Sequence, residues 1–187
     1  MDLETRPIGP HSWDDVAAVF AASSGSRDCW CMQWRTAAAA YQRNGADGNR
    51  AALRELVESG APVGVLGYDH GVPVGWCSVS PRADYPRIVR SPALKLTELD
   101  RDDVWSVVCF FTAAGLDHAE VVPALLDGAM VYAARAGATV LEAYPGDPTR
   151  RHGSVHGGSV ELLGAAGCEL VAEPGGARVV MRRELSA

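Results

Sequence analysis

Residues 104–148 read VWSVVCFFTAAGLDHAEVVPALLDGAMVYAARAGATVLEAYPGDP, and this stretch limits the possible folds more than any other. It opens with an apolar run, 104–111, rich in Val, Phe and Trp. Such a run is too short for a helix and suits a strand buried on both faces. After a loop at 112–119, Val121, Val122, Leu125, Leu126, Ala129, Met130 and Ala133 recur at helical spacing, and Gly137 stops the helix. A second apolar strand, 139–144, is closed by Pro145. Strand, helix, strand is most simply a parallel pair with a right-handed crossover.

The flanking chain adds antiparallel elements. Residues 3–8 suit a short strand, and Ser12 is an N-cap candidate before a helix with Asp14 and Asp15 in its first turn and Val16, Val19 and Phe20 on its apolar stripe. Segments 23–28 and 36–48 read as loops, the second Ala-rich and then Asn/Gly/Asp-rich. A helix is expected over 49–59, with Leu53, Leu56 and Val57 inward, stopped by Gly60 and Pro62. Strands 63–68 and 72–80 flank Asp69-His70-Gly71 as a hairpin. Residues 81–103 read as a long irregular loop, the kind that is usually functional or mobile. A last helix, 159–166, precedes strands 168–172 and 178–184. Pro123 costs its helix little if it lies in the first turn.

At 187 residues with 48% hydrophobic content, the expectation is one globular domain over 1–187. A net charge of −6 argues against broad nucleic-acid binding, though a local basic patch can survive it. No apolar run approaches the ~20 residues of a membrane span, and no signal pattern opens the chain. Five cysteines without an evident staple pattern suit a reducing cytoplasm. Cys29 and Cys31 have no second Cys/His pair at ligand spacing, so no metal is expected.

Read together, CWCMQWR at 29–35, GWCSVSPRADYPRI at 75–88, WSVVCFF at 105–111, LEAYPGDP at 141–148 and ELLGAAGCELV at 161–171 resemble the GNAT family, the Gcn5-related N-acetyltransferases, over nearly the whole chain. The resemblance implies an α/β fold. Its mixed, mostly antiparallel sheet would have about seven strands, a splayed central parallel pair and about four flanking helices. It also implies amide-forming N-acyl transfer from acetyl-CoA or another acyl-CoA to a small-molecule amine. The donor's pantetheine arm would lie along the backbone of Cys109, Phe110, Phe111 and Thr112.

The phosphate half of that donor site departs from the family. The pattern Arg/Gln-x-x-Gly-x-Gly/Ala, whose amides hold the pyrophosphate, falls on Asp117, His118, Ala119, Glu120, Val121 and Val122. Two like charges at ~4 Å repel by about 4 kcal/mol at a surface-like dielectric, so Asp117 and Glu120 oppose a phosphate there. They also suit a helix N-terminus. The departure leaves two alternatives: a donor other than free coenzyme A, such as an aminoacyl-tRNA or a carrier-protein thioester, and a non-catalytic binding protein. For tRNA, a patch would have to form from Arg150, Arg151 and the arginines of 82–90.

Glu142 and His156 are candidate general bases, with His118 a further imidazole; Glu142 also suits a structural ion pair. Tyr144 suits an acid or a pocket wall. The tyrosine that often protonates the leaving thiolate in this family is missing from 161–164. By resemblance, Trp30, Cys31, Trp34, Arg35 and Trp76 are candidates for the acceptor wall, although the tryptophans equally suit core packing. Arg87, with Arg82 and Arg90, suits an anionic substrate or a solvated surface. A homodimer is an open possibility.

Overall fold

The computed structural model describes residues 3–23, 28–146, 155–173 and 177–186. Among these residues seven strands form one sheet: β1 Leu3–Pro7, β2 Val65–Asp69, β3 Val72–Pro81, β4 Val104–Thr112, β5 Val140–Ala143, β6 Glu169–Ala172 and β7 Val180–Glu184. Their order is β1-β2-β3-β4-β5-β7-β6. The β4–β5 pair is parallel and the other pairs are antiparallel. The β2–β3 hairpin turns through His70 (φ 48°) and Gly71 (φ 80°), two positive φ values that match the twist of the flanking strands.

Among the described residues six α-helices accompany the sheet: α1 Trp13–Ala22, α2 Met32–Arg35, α3 Ala38–Glu58, α4 Pro86–Val89, α5 His118–Arg135 and α6 Val160–Ala165. This exceeds the four expected. The largest difference is at 36–48, which is helical from Ala38 onward rather than a loop. The Ala-rich start favours a helix, and the break that the Gly/Asn/Asp content foretold is confined to Gly45, whose φ/ψ of 59°/−167° kinks α3. Segment 81–103 likewise holds α4 and a 3-10 turn, Arg82–Asp84.

Two apolar layers sandwich the sheet. On one face Trp13, Val16, Phe20, Leu53 and Val57 meet Trp76, Cys109 and Phe111. On the other, the α5 stripe Val121, Val122, Leu125, Leu126, Ala129, Met130 and Ala133 meets Cys77, Val79, Val107, Phe110 and Leu141. Each buried Val, Leu, Phe or Met side chain among them contributes roughly 1.5–3 kcal/mol. α5 crosses the sheet closely because Gly75 has no side chain. A Cβ there would stand 2.9 Å from Leu125 Cδ1 and 3.0 Å from Val121 Cγ1. Pro123 lies past the first turn of α5, on its exposed side, so the helix forgoes one bond to the Ala119 carbonyl.

Candidate active site

The site grows from a break in the central parallel pair. β5 pairs with β4 only as far as Val107↔Ala143. β4 continues to Thr112 alongside β3, and between Ser78↔Cys109 and Val79↔Val107 it carries the extra residue Val108. That bulge bends the strand and puts Val108 and Cys109 into the same apolar cluster. Residues 108–112 therefore turn a backbone edge toward a gap that no described strand fills. The 3-10 turn Val155–Gly157 lies beside it. A Cβ built on Gly157 would be 3.4 Å from Tyr144 O, 4.0 Å from Val108 O and 3.1 Å from Arg178 Nη1.

The predicted donor residues divide here. Cys109, Phe110 and Phe111 are buried and Thr112 half-buried along this edge. At the N-terminus of α5, Asp117 caps its own helix: Oδ1 accepts from Ala119 N at 2.8 Å, and the Asp117 carbonyl accepts from Glu120 N and Val121 N. The amides of Ala119 and Glu120, which would otherwise face a phosphate, thus bond to the chain's own oxygens. Asp117, His118, Ala119 and Glu120 are exposed, whereas the Val121 and Val122 side chains are buried against the sheet.

Two imidazoles flank the end of β4. His118 Nδ1 is 3.3 Å from Thr112 Oγ1, and the His156 ring packs edge-on to Phe111 at 5.2 Å. Burial, and then the nearby His156, hold His118 below its ordinary pKa.

Glu142 has a different setting. Residues paired directly across strands share a face, and the register aligns Ser80, Ser106, Glu142 and Arg182 in one row across β3, β4, β5 and β7. Glu142 is fully buried. Its oxygens accept from Arg82 Nη1 (3.1 Å to each), Arg182 Nε (2.7 Å) and Tyr144 OH (2.6 Å). Arg82, 2% exposed, also donates to the Thr97 and Glu98 carbonyls, and Arg182 reaches the Glu98 carboxylate at 2.6 Å. Both lone-pair-bearing atoms of Glu142 are engaged, which is the geometry of an ion-pair staple. Arg82 is not the solvated side chain expected of the 81–103 segment. Tyr144, between Glu142 and Ser106 Oγ at 2.9 Å, is pushed well above the usual phenol range by burial and the carboxylate, so it stays protonated.

The acceptor-wall candidates also separate. Trp30 stacks on Phe20 at 4.7 Å, and Trp76 is fully buried with Nε1 donating to Cys31 Sγ at 3.1 Å. These three are core. Trp30 and Cys31 sit at φ 45° and 51°, in the left-handed region that costs non-glycine residues about 1 kcal/mol or more each. Burial, then its hydrogen bond with Cys109, keeps the Cys31 thiol protonated. Arg35 is turned inward to Ser80 Oγ, Tyr85 OH and the Pro62 carbonyl. Trp34 is half-buried, with the Arg87 and Arg178 guanidiniums 5.9 Å and 5.0 Å from its ring centre. Arg178 also donates to Tyr144 O. In the sequence Arg178 reads merely as the start of a strand, and its one signal is a cation leading an apolar pair. Arg90 is exposed; Arg150 and Arg151 lie outside the described residues. Among the described residues no His/Cys/Asp/Glu cluster could hold a metal, and no helix is long and apolar enough to cross a membrane.

No protein-family model and no curated protein matches this sequence. Solved structures do match its fold. The PaiA N-acetyltransferase of Thermoplasma acidophilum, in complex with coenzyme A, is 11% identical, with a TM-score of 0.57 over 98% of this chain and 99% of that one. yncA of Salmonella typhimurium, solved with its cofactor acetyl-CoA, is 16% identical, with a TM-score of 0.58 over 100% of this chain and 95% of that one. The C-terminal condensation domain of Ebony, in complex with beta-alanyl-dopamine, is 12% identical, with a TM-score of 0.56 over 99% and 100%. The splayed central pair, the seven-strand order and these likenesses agree: the chain has the GNAT N-acetyltransferase fold.

Proposed function

We propose that the protein is an N-acyltransferase that moves an acyl group from a pantetheine thioester to the amine of a small molecule. The observation that carries this reading is the edge of β4 at 108–112, which no described strand pairs and where β4 bulges and outruns β5. An extended amide-bearing arm adds to such an edge through main-chain hydrogen bonds, which side-chain identity barely constrains. The amine nitrogen attacks the thioester carbon, a C–N bond forms, and the C–S bond breaks. One amine proton passes to a base, and the leaving thiolate takes a proton from solvent or an acid. His156, against Phe111 at the end of the edge, is the proposed base, with His118 beside it. Glu142 and Tyr144 hold the sheet floor rather than the proton.

The Asp117 cap favours a particular donor. Ordinary acyl-CoA binding spends the helix amides on pyrophosphate, and here the Asp117 carboxylate already takes the amide of Ala119. A pantetheine arm presented without the nucleotide diphosphate, as on a carrier protein, avoids the two carboxylates at Asp117 and Glu120. An aminoacyl-tRNA donor meets a chain of net charge −6 and is the weaker fit. A condensation domain with this fold holds an amide of a carboxylic acid and an amine, which is the product class proposed here.

The test is thiol release, followed with a disulfide dye, from acetyl-CoA and from acetyl-pantetheine across a panel of primary amines. Amine-dependent release supports the reading. Donor binding without release from any pair would reassign the protein as a binder.

A further inference from the structure

Arg35, Arg82, Arg87, Arg178 and Arg182 are all buried or half-buried, but they do not share one environment. Arg35 has Asp84 at 3.9 Å, Arg82 has Glu142, and Arg182 has both Glu142 and Glu98. Arg87 and Arg178 have no carboxylate partner among the described residues. Arg87 donates to the Gln33 carbonyl, Arg178 donates to the Tyr144 carbonyl, and both lie against the ring of Trp34. Two cations around one indole, in a chain of net charge −6, repel each other with no carboxylate of the described residues paired to either. Burial pulls the Arg178 pKa down, as for a cation that has lost part of its water.

Position gives this pair a meaning. Tyr144 directly follows β5, so the Arg178 guanidinium sits at the mouth of the β4–β5 gap. A Cβ on Gly157 would come within 3.1 Å of its Nη1 and 4.0 Å of the Val108 carbonyl, which ties the group to the free β4 edge. With one N–H on Tyr144 O and its Cζ 5.0 Å from the Trp34 ring centre, Arg178 is held at two points and keeps further N–H groups in its planar fork. A fork of this kind matches a carboxylate in two-point contact better than a point charge does.

We infer that Arg178, aided by Arg87 and oriented by Trp34, binds the carboxylate of the acceptor, so that the acceptor is an amino acid or a similar amino-carboxylate. This rests on the acyl-transfer reading for the role of the amine, while the carboxylate contact itself is measurable by binding alone. The amine then projects toward the thioester end of the gap, and the product is an N-acyl amino acid.

Calorimetric titration with N-acetyl derivatives of the common amino acids and of β-alanine, each beside its C-terminal amide, tests this without turnover. The expected result is at least tenfold tighter binding of one or more acids than of the matching amide. Arg178→Gln should abolish that acid-over-amide ratio, Arg178→Lys should restore part of it, and Arg87→Gln should reduce it. Unchanged thermal melts of the variants would separate this from misfolding. Equal binding of acid and amide, a ratio that survives Arg178→Gln, or no binding of any acid would each overturn the inference. In the last case, thiol release with neutral amines in the same preparation would leave the acyl-transfer reading standing.

Discussion

Replacing Glu142 by Gln separates an ion-pair staple from a catalytic base. The side chain keeps its shape and loses its charge. Arg82, 2% exposed, then faces a neutral amide, and the Tyr144 and Arg182 bonds to Glu142 weaken. Breaking a buried pair by removing one partner costs about 3–5 kcal/mol. The lower end applies, because Arg82 retains the Thr97 and Glu98 carbonyls and Arg182 retains the Glu98 carboxylate. At roughly 2–4 °C per kcal/mol for a chain of this size, Tm should fall by about 6–12 °C. Urea unfolding at pH 7 should show the loss in the midpoint with the slope unchanged. A second variant, Arg82→Met with Glu142→Leu, should recover much of it, since apolar replacement of both partners removes the stranded charge. If Glu142→Gln stays within about 1 kcal/mol of the parent while thiol release disappears, the staple reading is refuted and Glu142 becomes the base.

Three further expectations follow from the site and its support. Asp117→Asn keeps a helix cap and removes a charge, so acetyl-CoA affinity should rise by about fivefold, for ~1 kcal/mol of repulsion in a solvated setting, while acetyl-pantetheine affinity stays put; an equal change for both would contradict the pyrophosphate argument. His118, depressed by burial and by His156, should titrate below 6.5 in an NMR pH series, and its stabilising contribution should be present above pH 6.5 and fade as pH falls through the lower folded value; a midpoint above 6.5, or a His118→Gln variant with the same pH dependence of unfolding, would refute it. Gly75→Ala pushes a methyl toward Leu125 Cδ1 and Val121 Cγ1 and should cost about 1–3 kcal/mol in urea unfolding; a neutral result would mean that α5 can lift from the sheet freely.

The strands were legible because their apolar runs and turn residues are local signals. The 104–111 run, the α5 stripe and the 70–71 turn all lie where periodicity and glycine put them. The first half of α3 was not, since Asn44, Gly45, Asp47 and Gly48 look like a loop and only packing shows that one kink absorbs them. The splay was foreseeable only by resemblance: no local signal announces that Val108 is a bulge. The setting of Glu142 depends on cross-strand register, which sets Ser106 and Arg182 beside it from 36 residues before and 40 after. Arg82 reads as surface until that register is known. The loss of the phosphate pattern at Asp117, Glu120 and Val122 was plain in the sequence. The structure adds that the Asp117 carboxylate occupies the amide of Ala119.

In the proposed reaction the β4 edge, and not the start of α5, holds the donor. Paired calorimetric titrations with acetyl-CoA and acetyl-pantetheine test it most directly. Saturable binding of both, with acetyl-pantetheine at least as tight, is the predicted result. Acetyl-CoA binding tenfold or more tightly would contradict it, because the pyrophosphate would then have found a grip that Asp117 and Glu120 were argued to deny.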